Sequence, residues 1–294
     1  VFENRPIYNV TQALQGTAAG VNVVQNSGKP GQALNIKIRG NNSVSSGVDP
    51  LYVVDGIQTR DISGINPDDI VDMTILKDAT STAIYGINGS AGVVIVTTKR
   101  GKANKPQLNF NAYVGVSNKV DNVDVLNLEQ YKDLISEINP AWLNTINDPM
   151  YAGINTDWVK KVYRTGFDQN YNVNYAFGNE NVRAYTALGY QNVQGVVSPS
   201  DFARTSAKVN LDAKITDWLK VTSSLNYMNT SLNNTADNNA GAQGGVILSA
   251  LTTPTFMPAY GSEVKIRPTD GSGNYLNGYK DGQFALNPFT GGWE

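Results

Sequence analysis

The chain has 294 residues, with 23 Lys and Arg against 25 Asp and Glu, which excludes a strongly basic nucleic-acid-binding protein. It contains no Cys and no His. Disulfide frameworks, thiolate and imidazole metal sites, Ser-His-Asp triads and Cys-His nucleophiles are therefore excluded together. Acid–base chemistry would have to rest on Asp, Glu, Lys or Tyr. The apolar residues form no run long enough for a transmembrane helix, but that leaves open a transmembrane barrel, whose alternating strands average out in hydropathy. Asparagine is the commonest residue, and with 28 Gly and 15 Tyr it suits a turn-rich β protein with aromatic belts.

In chain order, Val10 to Gln15 predicts a short helix ended by Gly16. Gly20 to Gln25 is a β-branched strand, and a turn cluster follows at Ser27 to Gly31. Leu34 to Arg39 alternates apolar and polar residues as a half-buried strand does, and Asn41 to Asp49 is a polar loop. Leu51 to Val54 is a short buried strand that runs into the turn signal Asp55-Gly56. Asn66-Pro67-Asp68-Asp69 starts a helical turn, with Asn as N-cap, Pro at the first position and acids in the first turn. Asp72 to Leu76 returns to strand, and Asp78 caps a helix from Ala79 to Tyr85 that Gly86 stops. Val93 to Thr98 is wholly β-branched and reads as a strand. Residues 1–103 thus form one small α+β unit.

After the joint at Lys99 to Pro106 the pattern changes. Leu108, Phe110, Ala112, Val114 and Val116 share one face of a strand, with Asn109, Asn111, Tyr113 and Gly115 on the other. Tyr171 to Phe177 repeats that alternation and turns at Gly178 to Asn181 into Val182 to Gln191. Ala203 to Thr216 and Trp218 to Thr230 make a further pair. Alternation sustained over roughly ten residues is the barrel-strand signature. Between strands, Asn127 to Ile138 carries Leu128, Tyr131, Leu134, Ile135 and Ile138 at helical spacing, and Asn155-Thr156-Asp157 caps Trp158 to Tyr163. Asn233 to Gly245 is a long polar loop, and the Pro/Gly/Asn-rich stretch from Thr253 reads as loop. Both ends look cut, so the chain is expected to be part of a longer one.

The residues that could carry chemistry have plainer explanations. Gly86, Gly89 and Gly92 have phosphate-loop spacing, but a dinucleotide loop follows a strand and opens a helix, and here the order is reversed. Asp68, Asp69 and Asp72 could hold a hard cation, yet they match no EF-hand spacing, and helix N-terminal charge accounts for the first two. Asp55 with Lys77 or Asp78 could suggest acid–base work, but a turn and a cap explain both aspartates. No catalytic, cofactor or metal residues are expected. Tyr113, Tyr171, Tyr175, Phe177, Tyr185, Tyr190, Trp218 and Tyr227 suit either a membrane-facing girdle or a sandwich core.

One ordered set of segments is specific. ALQG, AGV and IRG (Ile38 to Gly40) precede PLYVVDGI (Pro50 to Ile57), ILKDATSTAIYG (Ile75 to Gly86) and GSAGVVIVTTKRG (Gly89 to Gly101). This set resembles the plug domain of SusC/RagA-type TonB-dependent outer-membrane transporters. The motif positions are Gly40, Asp55, Gly56, Lys77, Asp78, Tyr85, Gly86, Gly92, Lys99 and Gly101. RTGFDQNYNV (Arg164 to Val173), LGYQNVQGVV (Leu188 to Val197) and DWLKV (Asp217 to Val221) are similar, more loosely, to the first barrel strands of that family.

The resemblance implies a membrane β-barrel, large and antiparallel with ~22 strands in a full chain, and an α+β plug in its lumen. Residues 1–103 would be the plug and 104–294 the first strands and loops of the barrel. It further implies a place in the cell outer membrane, among its lipids, and TonB-driven import of an oligosaccharide or peptide. A SusD-like surface lipoprotein would act as lid, with neither enzyme activity nor a cofactor. Arg39 and Arg100 each end a strand and precede Gly; within a barrel they are candidate latches to acids on the wall. The alternatives are a TonB-dependent siderophore or vitamin receptor, a soluble secreted glycan-binding β protein, and a glycosidase, which would need paired carboxylates.

Overall fold

The computed structural model describes residues 10–14, 21–24, 28–32, 34–38, 50–120, 124–234, 245–277 and 279–283. Arg39, Gly40, the polar loop 41–49 and most of the loop 233–245 lie outside the described residues. The chain forms two compact units. The first comprises Val1–Ser117, Gly166–Gly195 and Pro199–Asn234; the second comprises Asn118–Thr165, Val196–Ser198 and Thr235–Glu294.

The first unit opens with a 3-10 turn at Val10–Leu14 and an antiparallel pair, β1 (Val21–Val24) and β2 (Asn35–Ile38). Next comes a four-stranded sheet of β3 (Leu51–Val54), β4 (Ile57–Thr59), β5 (Ile70–Leu76) and β6 (Val93–Thr98), in the order β4-β3-β6-β5. β6 runs parallel to β3 and antiparallel to β5. Being central, β6 is covered on both faces, which is why its sequence is a continuous β-branched run rather than an alternation; Val93, Val94 and Val96 are wholly buried. The turn between β3 and β4 puts both Asp55 (φ 49°) and Gly56 (φ 91°) at positive φ, as a two-residue hairpin loop of matching twist requires.

Between β5 and β6 the expected helix is shorter and tighter. α1 covers Ala79–Thr82, a 3-10 stretch follows over Ala83–Gly89, and Gly86 (φ 58°, ψ −145°) breaks it. β-branched Thr80, Thr82 and Ile84 are poor helix propagators, so the turn is held by local bonds. The hydroxyls of Ser81 and Thr82 donate to the Asp78 carbonyl, while the Asp78 side chain makes no capping bond. Val10, Leu14, Ile36, Ile38, Tyr52, Ile62, Ile70, Val94 and Val96 form the core of this α+β module.

The same unit contains a second sheet of five long strands: β7 (Gln107–Ser117), β8 (Gly166–Gly178), β9 (Val182–Gln194), β10 (Asp201–Lys214) and β11 (Lys220–Asn233). They pair in sequential order and antiparallel throughout. At 11 to 14 residues each, they exceed the ~5–6 residues usual for globular strands. Their alternation is inverted relative to a soluble sheet. On β8 the buried positions include Asp168, Asn172 and Asn174, while Phe167, Tyr171, Val173, Tyr175 and Phe177 are exposed. On β10 Arg204, Ser206, Lys208 and Asn210 are buried and Val209 and Leu211 are exposed. A sheet with its polar face covered and its apolar face bare suits a wall whose outer solvent is hydrocarbon.

The second unit is helical and irregular. α2 (Leu128–Ile138) begins with a capping box between Asn127 and Gln130. α3 (Leu143–Ile146), α4 (Trp158–Val162) and α5 (Val246–Thr252) complete its α-helices among the described residues, beside 3-10 turns at Pro140–Trp142, Pro149–Tyr151 and Gly261–Glu263. Asp157 caps α4 by accepting from the Lys160 amide. Asn155 and Thr156, expected to cap the same helix, are used elsewhere: the Leu128 amide donates to the Asn155 side chain, and the Thr156 hydroxyl donates to the Met257 carbonyl. Ile135, Ile146, Phe256 and Met257 form the core. No described helix is long and apolar enough to cross a membrane, which says nothing of crossing by strands.

Candidate functional site

The first unit holds its α+β module against the five-stranded sheet through a polar seam. Strand parity builds one side of it: every second residue of β10, Arg204, Ser206, Lys208, Asn210 and Asp212, faces the module, and β8, β9 and β11 add Asn170, Tyr185 and Asn226. The module contributes two short segments, residues 64–69 before β5 and residues 98–100 at the end of β6. Both are placed by the β5–β6 pairing, in which Ile70 lies opposite Thr98.

At one end of the seam Arg100 donates to Asp212 at 3.0 Å and stands 3.9 Å from Asp55. Asp55 is tied in turn to β6, accepting from the Thr98 amide at 2.9 Å and from the Thr98 hydroxyl. The hairpin turn, the end of the central strand and the wall acid are thus one charged cluster. Next along β10, Asn210 donates to the Lys99 carbonyl at 2.7 Å while its oxygen accepts from Ser224.

Beside Asn210, the Tyr185 hydroxyl donates to Asp69 at 2.8 Å, and both residues are 1% exposed. Burial pushes the Asp69 carboxyl above its ordinary value; the Tyr185 hydrogen bond and the charges of Lys208 and Lys99 oppose that push. Farther along, Asn66 donates to Ser206 at 3.0 Å, Asn170 donates to Asp68 at 3.1 Å, and Asn226 donates to the Gly64 carbonyl at 2.6 Å.

Two glycines let these surfaces meet. A Cβ on Gly101 would lie 2.5 Å from the Ala184 backbone, and one on Gly189 would lie 2.5 Å from the Asn66 amide nitrogen.

Of the residues expected from sequence, the structure brings Asp55, Lys99, Arg100 and Gly101 into the seam. Lys77 and Gly86 are exposed and Tyr85 packs on Leu51, Val53 and Val93, all away from it. Gly92 (φ 100°) is buried against Ile38. Arg39 and Gly40 are outside the described residues. Two readings are corrected. Tyr185 is not on the exposed apolar face with Tyr171, Tyr175, Phe177, Tyr190 and Tyr227 but points inward to Asp69, and Tyr113, paired with Asn170, shares the inward polar face. Asp69 is more than first-turn charge, since its carboxylate is buried at the seam. The three acids considered for a cation go to separate partners: Asp68 to Asn170, Asp69 to Tyr185, Asp72 to Thr74. Among the described residues no group of three or more acidic side chains is placed to hold a metal ion.

Residues 1–93 match the TonB-dependent receptor plug domain family. The TonB-dependent receptor SusC of Bacteroides thetaiotaomicron is 34% identical over 284 residues, covering 92% of this chain and 27% of SusC. The chain is of the SusC/RagA type of TonB-dependent receptor. A TonB-dependent receptor of Formosa agariphila is 37% identical over 231 residues, 76% of this chain and 23% of that protein. The solved RagAB peptide importer in its closed-closed state is similar with a TM-score of 0.75 at 25% identity, over 94% of this chain and 34% of that one. This chain therefore spans about a quarter of the length of the curated relatives it matches. The plug-family match falls on the α+β module, and the structural similarity to the RagAB importer extends over the five-stranded sheet as well.

Proposed function

We propose that the protein takes part in TonB-dependent active import of an oligosaccharide or peptide across the bacterial outer membrane. In this reading residues 1–103 are the plug and residues 104–294 the first strands and loops of a transmembrane barrel that encloses it. TonB displaces the plug, and a SusD-like surface lipoprotein closes over the barrel mouth. The supporting observation is the inverted wall, whose polar face is bonded to the plug and whose apolar face is bare. A sheet of this kind needs hydrocarbon outside and a polar occupant inside. The short turns β8–β9 and β10–β11 would lie on the periplasmic side and the long connections β7–β8 and after β11 outside the cell, following the usual asymmetry of such barrels. The work is mechanical, with no enzymatic step.

Arg100 is proposed as a latch. Its bond to Asp212 is partly shielded, so it holds the closed state yet can be exchanged for water when the plug moves. Arg39 is proposed for the same role.

The test is uptake by cells carrying the full-length protein. Import should vanish when TonB is deleted, and the protein should fractionate with outer membranes and migrate differently on a gel before and after boiling. Uptake that persists without TonB, or a soluble protein with no such shift, would sink the reading.

A further inference from the structure

We propose that the second unit carries a binding pocket for a carboxylate-bearing organic ligand, held by Lys160 and Lys265. The pocket is a cavity of about 450 Å³, inside the ~300–1,000 Å³ range of small-molecule sites. Its floor is the buried pair Ile154 and Thr156. The Thr156 hydroxyl is turned away to the Met257 carbonyl.

Charge accounting gives the pocket its sign. Glu263 is committed to the fold: it accepts from Lys161 at 3.0 Å and from the amides of Ala259 and Tyr260. Burial pushes its carboxyl up, but these bonds outweigh that and hold it below the usual range, so it stays an anion paired with Lys161. Lys161 also lies over the Tyr260 ring, 5.0 Å from its centroid. Asp157 is used as the cap of α4. Among the described residues Lys160 and Lys265 have no carboxylate within ion-pair distance.

The main chains that carry these two lysines are fixed, Lys160 in α4 and Lys265 by its amide bond to the Met150 carbonyl at 2.9 Å. Two ammonium groups carried by fixed main chain and lining one cavity repel each other, and an anion between them relieves that repulsion. The cavity exceeds what an inorganic anion needs, and its apolar floor suits the body of an acidic sugar or an acidic peptide.

The proposal deepens the import reading by naming a ligand chemistry and rests on that reading for access from outside the cell. Its test uses binding alone, so its failure would leave TonB-dependent uptake intact. Purified full-length receptor in detergent is titrated calorimetrically with digalacturonate and with the dipeptide Glu-Glu, against digalactose, Ala-Ala and inorganic phosphate. One acidic probe should bind about tenfold tighter than its neutral counterpart and than phosphate, more weakly at high salt. The arm that binds identifies sugar or peptide as the source of the carboxylate. Lys160→Gln and Lys265→Gln, each checked for heat-modifiable migration, should lower that affinity severalfold, and Lys102→Gln should not. Failure of both acidic probes, equal binding of neutral probes or phosphate, or unchanged affinity in both lysine variants overturns the proposal.

Discussion

Tyr185 and Asp69 show how much one hydroxyl can carry at a buried seam. Removing it leaves the buried Asp69 carboxyl group without its donor, a loss of about 1–3 kcal/mol. Tyr185→Phe should therefore loosen the plug, read as faster hydrogen exchange at residues 66–69 and 98–100 with the wall amides unchanged. The pH dependence has a definite sign. Burial raises the docked pKa of Asp69, so the docked state favours the neutral acid. Asp69's contribution to docking is then complete below the ordinary carboxylate value and is lost as pH rises through the raised one. Lys208, Lys99 and Asp68 face the same carboxylate and set how wide that window is. Asp69→Asn should remove this part of the pH dependence while still accepting from Tyr185. An exchange profile that keeps the same pH slope in the variant would contradict the assignment.

At the scale of elements, the alternation of β8 and β10 was legible in the sequence, because a period of two assigns residues to faces, but not its inversion, because the period does not say which face is covered. Among the plug strands β2 was legible for the same reason, β1, β3 and β6 read as strands from their apolar and β-branched runs, and β4 was not read as a strand at all. What could not be read was partnership. Asp69 satisfies every local rule for a first-turn acid, and only the fold brings Tyr185 to it from more than a hundred residues away. Tyr185 itself has odd parity relative to Leu188 and Tyr190, a signal that it faces inward with Ala187 and Gly189, but its aromatic ring suggested a girdle. The helix after Asp78 failed because β-branched residues and Gly86 together outweigh a good cap position.

Gly101→Val would drive a side chain into the β9 backbone at Ala184, so the folded, heat-modifiable fraction should fall even though no charge is touched. Val173→Arg on the bare face should cost about 2–4 kcal/mol if the position lies near the bilayer midplane; a stability unchanged in detergent-to-lipid refolding would show that this face does not meet lipid.

For the molecule as a whole, the proposed plug is bonded to the proposed wall through one seam. The seam mixes an ion-pair cluster with neutral hydrogen bonds, and these respond to different conditions. Raising salt should weaken the Arg100–Asp212 end while sparing the buried Tyr185–Asp69 contact. Arg100→Ala should therefore flatten the salt dependence of plug protection in exchange experiments without altering its pH dependence; a variant that loses both would indicate one cooperative contact rather than two.

The arrangement of the seam along β10 has a mechanical consequence. Residues 212, 210 and 206 of that strand meet Arg100, Lys99 and Asn66 in turn, while its neighbours Tyr185, at the 210 level, and Asn170, at the 204 level, meet Asp69 and Asp68. At the usual strand rise this row spans about 27 Å. A tension applied at one end of such a row loads its bonds one after another, as teeth part in a zipper. The peak force is then set by the strongest single rung and not by the sum, while the total work is unchanged. A modest sustained pull can open what a uniform shear of the same surface could not.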